Sequence, residues 1–201
     1  MITVDLSAMR ELQASVGATE SQFKGAFNKA LKQTAARLYR ESVALMLGAV
    51  DAKGKKSLGN RVGSFVERAV GGNDAGHGKI WFGLNDMPVS SLKGSLRNPR
   101  KIVRQRDAKG RFIKQRGARG ATFVPRSSLL APVSFPESFV ATVRGKKSIW
   151  IRQGGFIAEA KIPVYEAMTR EIAREISPRA GELLLSYFET DLRGRVAGGV
   201  K

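Results

Sequence analysis

Seven cations stand in the seventeen residues from Arg104 to Gly120, RQRDAKGRFIKQRGARG, against a single acid, Asp107. The chemistry such a run can do is ion pairing. Guanidinium and ammonium groups at this density attract phosphate or carboxylate, with a strength that falls as salt rises. The run is the centre of a wider window. From Lys93 to Arg126 there are twelve Lys or Arg and one Asp, which is +11 of the whole chain's +18. Arg97, Arg100, Lys101, Arg104, Arg106, Lys109, Arg111, Lys114, Arg116 and Arg119 are the candidate contacts to DNA or to an acidic partner. A solvated loop, a phosphate-binding arm and a surface for an acidic protein all fit this charge. The Arg104–Gly120 run holds one aromatic, Phe112, where proteins that stack bases interleave several. It has no helix-turn-helix or zinc-finger spacing. Any DNA contact is therefore expected to be to the backbone and independent of sequence. Phe112 and Ile113, beside Gly110, are candidates to anchor a loop tip on a neighbour.

Catalytic chemistry needs polar groups that converge, and none is signalled. The chain has one histidine, His77, and no cysteine, so it offers no zinc ligand set, disulfide or thiolate. His77 is set between glycines, where a turn is expected. Asp51, Asp74 and Asp86 fall on separate turns without paired-carboxylate spacing. GNRVGSFV and VGGNDAGHGK are glycine-rich, yet no Gly-Lys-Ser/Thr follows a strand in either, so neither matches a phosphate cradle. Glu166, Glu171, Glu175, Glu182 and Glu189 alternate with Arg170, Arg174 and Arg179, the pattern of a salt-bridged helix face. The expectation is a protein that is not an enzyme, with no cofactor and no metal.

The elements that must position the basic run are legible around it. The 201 residues suit one domain with an excursion, and a 42% hydrophobic content is enough to bury a core. The N-terminal MITVDLSAMRELQ has no basic leader, and no stretch approaches the roughly 18 apolar residues of a membrane span. A soluble protein in a reducing compartment is expected. Thr19-Glu20-Ser21-Gln22 reads as a capping box. Phe23, Phe27, Leu31, Thr34, Leu38 and Leu45 follow at helical spacing, which predicts a helix over about 19–50. VDLSAMRELQASVG before it reads as a short strand or helical turn. Leu58, Val62, Phe65, Val66 and Ala69 predict a second helix interrupted by Gly59 and Gly63. KIWFGL predicts a strand, and VSSLKG a second one.

Residues 94–128 have no apolar period, and a loop of this length is functional or disordered. Order is expected to return after Ser128. FPESFVATV and SIWIRQ bracket RGKK as a hairpin, and FIAEAKIPV is a further strand. Phe135, Pro136, Phe139, Trp150 and Ile151 are candidate hairpin core or interface residues, with core the favoured role for Trp150. Val164, Ala167, Met168, Ile172 and Ile176 form one helix, with Pro163 in its first turn. Pro178 starts another that carries Leu183, Leu184, Tyr187, Phe188 and Leu192. GRVAGGVK reads as a frayed tail. Helices, strands, basic loop, strands and helices in that order predict an α+β fold. It would have a long N-terminal helix, a mostly antiparallel sheet with the basic insertion at about 93–128, and a C-terminal helix pair.

The stretch from Ser134 to Arg193 resembles the Z-type minor tail proteins, or tail completion proteins, of long-tailed bacteriophages. The shared features are Phe135-Pro136 with Phe139, the basic turn Arg144-Gly145-Lys146, the strand Trp150-Ile151-Arg152, and Lys161-Ile162-Pro163 before two terminal helices. The long N-terminal helix and the basic, glycine-bearing centre are also similar. The segment after Gly54 departs from that pattern. The resemblance implies a single tail-completion-like domain over residues 1–201, which acts as a structural virion protein of the phage neck. It would be made in the host cytoplasm and form a ring, commonly a hexamer, that joins the tail to the head connector. The genome end would lie in the lumen. Implied partners are other copies, the tail terminator or tail tube, the connector, and either non-specific genomic DNA or the tape measure, with no membrane. The alternative is a standalone, non-specific nucleic-acid-binding protein.

Replacing Arg104, Arg106, Arg111, Lys114, Arg116 and Arg119 by Gln is expected to leave the fold intact, because no apolar period runs through them. Calorimetry checks this. A fall in Tm of more than about 4 °C, roughly 1 kcal/mol at this chain length, would make the run structural.

Overall fold

The computed structural model describes residues 7–67, 77–98, 108–111 and 120–200. The fold is α+β, with a long N-terminal helix, small antiparallel sheets and a C-terminal helix pair. In chain order the elements are α1 (Ser7–Ser15), α2 (Glu20–Ala49), α3 (Lys55–Leu58), β1 (Val62–Glu67) and β2 (His77–Phe82). Then come β3 (Met87–Pro88), a 3-10 turn at Val89–Ser91, β4 (Gly94–Arg97), β5 (Thr122–Pro125), β6 (Val133–Ser134), β7 (Ser138–Val143) and β8 (Lys146–Gln153). The chain ends with β9 (Phe156–Glu159), β10 (Lys161–Ile162), α4 (Tyr165–Glu175) and α5 (Arg179–Ala197). It divides into two compact units. The first is Met1–Leu45, Asn60–Gly83 and Thr169–Lys201; the second is Met46–Gly59 and Leu84–Met168.

The first unit is built on α2. Its capping box is made as the residue types require. The Gln22 backbone N–H donates to Thr19 Oγ1 at 3.3 Å, and the Thr19 N–H donates to Gln22 Oε1 at 2.9 Å. The helix then buries Phe23, Ala26, Phe27, Ala30 and Leu31 against Leu184, Phe188 and Leu192 of α5 and Met9 of α1. Phe188 is fully buried and meets Phe23 edge-on, with 5.0 Å between ring centroids. A second cluster joins Leu38 to Ile176 and Ala180, with Ile80 and Phe82 packed on it. The tail is held rather than frayed: Gly199 takes φ +60°, Val200 N–H donates to Arg195 O, and Gln22 Nε2 donates to Val200 O at 3.0 Å.

Two expectations in this unit are corrected. The stretch containing Val62, Phe65 and Val66 is strand β1, not a helix. Gly59 at φ +56° ends α3 after one turn, and the next six residues pair antiparallel with β2. Val66, Ile80 and Phe82 turn to the helices while Phe65 and Trp81 face outward, the alternation of a strand. His77 is the first residue of β2 rather than a turn residue, and it stands 3.4 Å from Glu67. Ala69 and Asp74 lie outside the described residues.

The second unit holds three small sheets, with strand orders β10-β3, β4-β5-β6 and β7-β8-β9. The β7–β8 hairpin matches its expectation. FIAEAKIPV is two strands, β9 and β10: Ala160 between them donates its N–H to Ile149 O of β8, while its carbonyl turns to accept from Val89 N–H. VSSLKG is not a strand: Val89–Ser91 form a 3-10 turn and β4 starts at Gly94. The Glu159 carboxylate fastens that turn to β8, accepting from Ser90 N–H at 2.9 Å and the Ser148 hydroxyl at 2.7 Å. Burial alone would raise the Glu159 pKa, but these bonds outweigh it and hold the group below its ordinary value.

Replacing Phe188 by Ala is expected to cost about 3–5 kcal/mol of unfolding free energy, the range for a buried aromatic. Leu185, more exposed on the same helix, is expected to cost under about 1 kcal/mol when changed to Ala. Urea titrations of both variants check the ratio.

Candidate functional site

The basic window is narrower than the sequence suggests. Residues 94–128 were expected to lack order, yet strands β4 and β5 lie inside them. They pair directly, Gly94↔Pro125 through Arg97↔Thr122, so the basic segment is the connection of an antiparallel pair. Its two ends leave side by side from the Arg97–Thr122 end of that pair. Gly94 is required within it, since a Cβ there would lie 2.5 Å from Val124 O and 2.6 Å from the Phe123 ring.

The root of the connection is built by non-local contacts. On the outgoing side, Asn98 Oδ1 accepts the Val140 N–H of β7 at 3.1 Å. On the returning side, Ala121 N–H donates to Ser138 Oγ at 2.9 Å, and the Ser138 hydroxyl donates to Phe135 O at 2.6 Å. Phe135 N–H donates back to Ala121 O at 3.0 Å. Gly120 is pressed against this group: a Cβ on it would stand 1.3 Å from the Phe135 carbonyl oxygen. No residue but glycine fits there without moving backbone.

Of the predicted basic contacts, Arg97 is exposed at the end of β4, and Lys109 and Arg111 are exposed around a turn with Gly110 at φ +75°. Arg100, Lys101, Arg104, Arg106, Lys114, Arg116 and Arg119, with the tip residues Phe112 and Ile113, lie outside the described residues. The hairpin residues are located. Phe135 and Trp150 are buried, Phe139 and Ile151 are half-buried, and Pro136 is exposed. Trp150 pairs with Phe139 across the strands, and its Nε1 donates to Ala141 O at 3.0 Å. Arg152 stands over the Phe139 ring at 5.1 Å. Asn98, Gly120 and Ser138 were not singled out by sequence as contacts. The signals were Asn98-Pro99, legible only as a breaker, and the glycines of GARG, which suit a tight space.

The electrostatics differ between the units. The first carries fifteen Lys and Arg against eleven Asp and Glu, and the second twenty against six. In the first unit acids meet the cations. Asp191 accepts from Lys29 and, at 2.6 Å, from Arg195; Glu41 takes Arg37 at 2.6 Å and Arg179 at 3.0 Å. Burial opposes ionisation of Asp191, but the Lys29 and Arg195 bonds prevail and hold its pKa low. In the second unit Asp51 stands 3.4 Å from Lys93 and 3.9 Å from Arg126, the two cations that flank the arm. Among the described residues no group of three or more His, Asp or Glu could hold a metal ion, and no helix is long and apolar enough to cross a membrane. Comparison with protein-family models, curated proteins and solved structures finds no match to this chain.

Gly120→Ala is expected to cost about 3 kcal/mol, the upper part of the overpacking range. Gly181→Ala, in helix α5 with open space around its Cβ position, is expected to stabilise by about 0.5–1 kcal/mol. Equilibrium unfolding of the two variants checks both signs.

Proposed function

We propose that this chain is a structural subunit of a phage neck: a minor tail protein of the tail-completion type. It assembles as a ring between the tail and the head connector, with its basic arm toward the genome end, the tape measure or an acidic neighbour. The observation that carries the reading is the arm itself. A segment with this excess of positive charge leaves from a root held by strand pairing, four hydrogen bonds and a glycine that admits no side chain. Copies of such an arm repel in a ring unless a polyanion or acidic surface neutralises them. The resemblance over Ser134–Arg193 supports the same reading. So do Phe65 and Trp81, more than half exposed on one face of the β1–β2 pair, since exposed apolar patches mark interaction surfaces.

Negative-stain imaging of particles made without the protein tests this. Filled heads separated from tails, or joined particles that fail to deliver DNA, are the expected result. Normally joined and infective particles overturn it. The charge of the second unit also favours a second reading, a free nucleic-acid-binding protein. That reading requires a purified chain that stays monomeric at every concentration while it binds duplex DNA with a steep salt dependence.

A further inference from the structure

The second unit carries a further set of cations that do not belong to the arm. The β7–β8 turn is a two-residue loop, Val143-Arg144-Gly145-Lys146, with φ +50° at Arg144 and +75° at Gly145. Positive φ at both central residues is the type I′ geometry, which favours Asn, Asp or Gly at the first position. Arginine stands there instead, in a conformation few non-glycine residues adopt. Lys146 and Lys147 follow at once, paired with Val143 and Thr142, one on each face of the hairpin beside the turn, so that they flank Arg144. All three cations are exposed, and none is within ion-pair distance of a carboxylate among the described residues. Lys146 acts on Glu159 only through space.

The turn is tied to the root of the arm through one strand. Val140 of β7 donates to Asn98, next to Arg97, and Arg144 lies four residues further on, in the turn that ends the strand. At about 3.3 Å per residue that is about 13 Å. One DNA strand advances about 3.4 Å per phosphate along the axis, so this span covers roughly four phosphates. The paired strands fix the backbone at both ends, so the cations are presented without the cost of ordering a loop.

We propose that Arg144, Lys146 and Lys147, with Arg97, form a fixed contact strip for the phosphate backbone of duplex DNA, distinct from the arm. The strip's role in a particle rests on the reading of the chain as a genome-facing subunit. The contact itself rests on the turn and the strand.

The test uses the purified full-length chain and a duplex of random sequence. Binding is measured by fluorescence anisotropy across a salt series. Arg144→Asn suits the type I′ turn, and Lys146→Thr and Lys147→Thr suit a strand, so the triple variant is expected to fold with unchanged Tm. Each phosphate contact contributes about 0.9 to the slope of log Kobs against log salt, so the triple variant should lose about 2–3 from that slope. A matched control, Lys32→Gln with Arg40→Gln and Lys79→Gln in the first unit, should lose under about 1. An unchanged slope in the turn variant, or an equal loss in the control, overturns the strip. Equal binding to polyglutamate with the same slope overturns it too, and assigns the strip to an acidic protein. The result is separable from the neck role: a chain without this contact can still join tails to heads, and a chain with it can fail to.

Discussion

Seventeen carboxylates must serve thirty-five cations, and their distribution is the constraint on which the rest of the molecule depends. The first unit holds eleven of them and uses them along its helices. Glu171 meets Arg174, Glu189 meets Arg193, and Asp191 meets Lys29 and Arg195. Most of the cations in these pairs are solvent-exposed, and exposed pairs add under about 1 kcal/mol each, so their effect lies less in stability than in cancelling field. The second unit keeps six acids. Glu159 is committed to Ser90 and Ser148, and Asp51 to the neighbourhood of Lys93 and Arg126. The positive excess that remains in that unit is densest on the arm, with further cations at the β7–β8 turn and at Lys53, Lys55, Lys56, Arg152 and Lys161. At physiological salt, charges more than about 8 Å apart are largely screened. The folded chain therefore tolerates this excess, while a long polyanion, which meets many of the cations at once, is strongly attracted.

The arm also has to be closed. Bringing together the ends of a segment of about 24 residues costs roughly 3 kcal/mol plus a constant. Strands β4 and β5 have four residues each and could not be expected to meet this alone. The four hydrogen bonds at the root, each worth about 1 kcal/mol net, are of the size needed. They reach out of the β4–β5–β6 sheet to Val140, Phe135 and Ser138, so the root is anchored on β7 and the segment before it. Gly120 belongs to the same device. Its missing side chain lets the returning strand lie directly on the Phe135 carbonyl, which places Ala121 N–H opposite Ser138.

How much of this was legible in the sequence depended on the range of the interaction. Features decided within a few residues were read correctly: the Thr19–Gln22 box, the β7–β8 hairpin around Arg144-Gly145, and the helix start at Pro178. Val62, Phe65 and Val66 misled because i, i+3 and i+4 spacing also occurs by chance in six residues of a strand. The deciding facts were the φ of Gly59 and the pairing with β2, ten or more residues away. Strands β4 and β5 were hidden for a similar reason. They are short, carry Gly94 and Pro125, and find each other only across the basic segment. The candidate site divided the same way. Its cations were countable from composition, while its root rests on Asn98, Gly120 and Ser138, whose partners lie 15 to 42 residues away.

On the proposed contact, cations would meet a polyanion at a cost that depends on how firmly they are held beforehand. A cation that is not fixed before it binds loses conformational freedom on binding, which subtracts from each ion pair it makes. Cations on a two-residue turn have already lost it during folding, so their contacts are weaker in number but cheaper to form. Arg144 shows where that cost was met, in a left-handed conformation that asparagine or glycine would adopt more easily. A protein selected for stability alone would place Asn there. That an arginine holds the position, followed by two lysines and with no carboxylate at ion-pair distance among the described residues, favours selection for charge at a fixed point on the hairpin. In the proposed contact, the arm would add its charge to a site that the hairpin has already oriented.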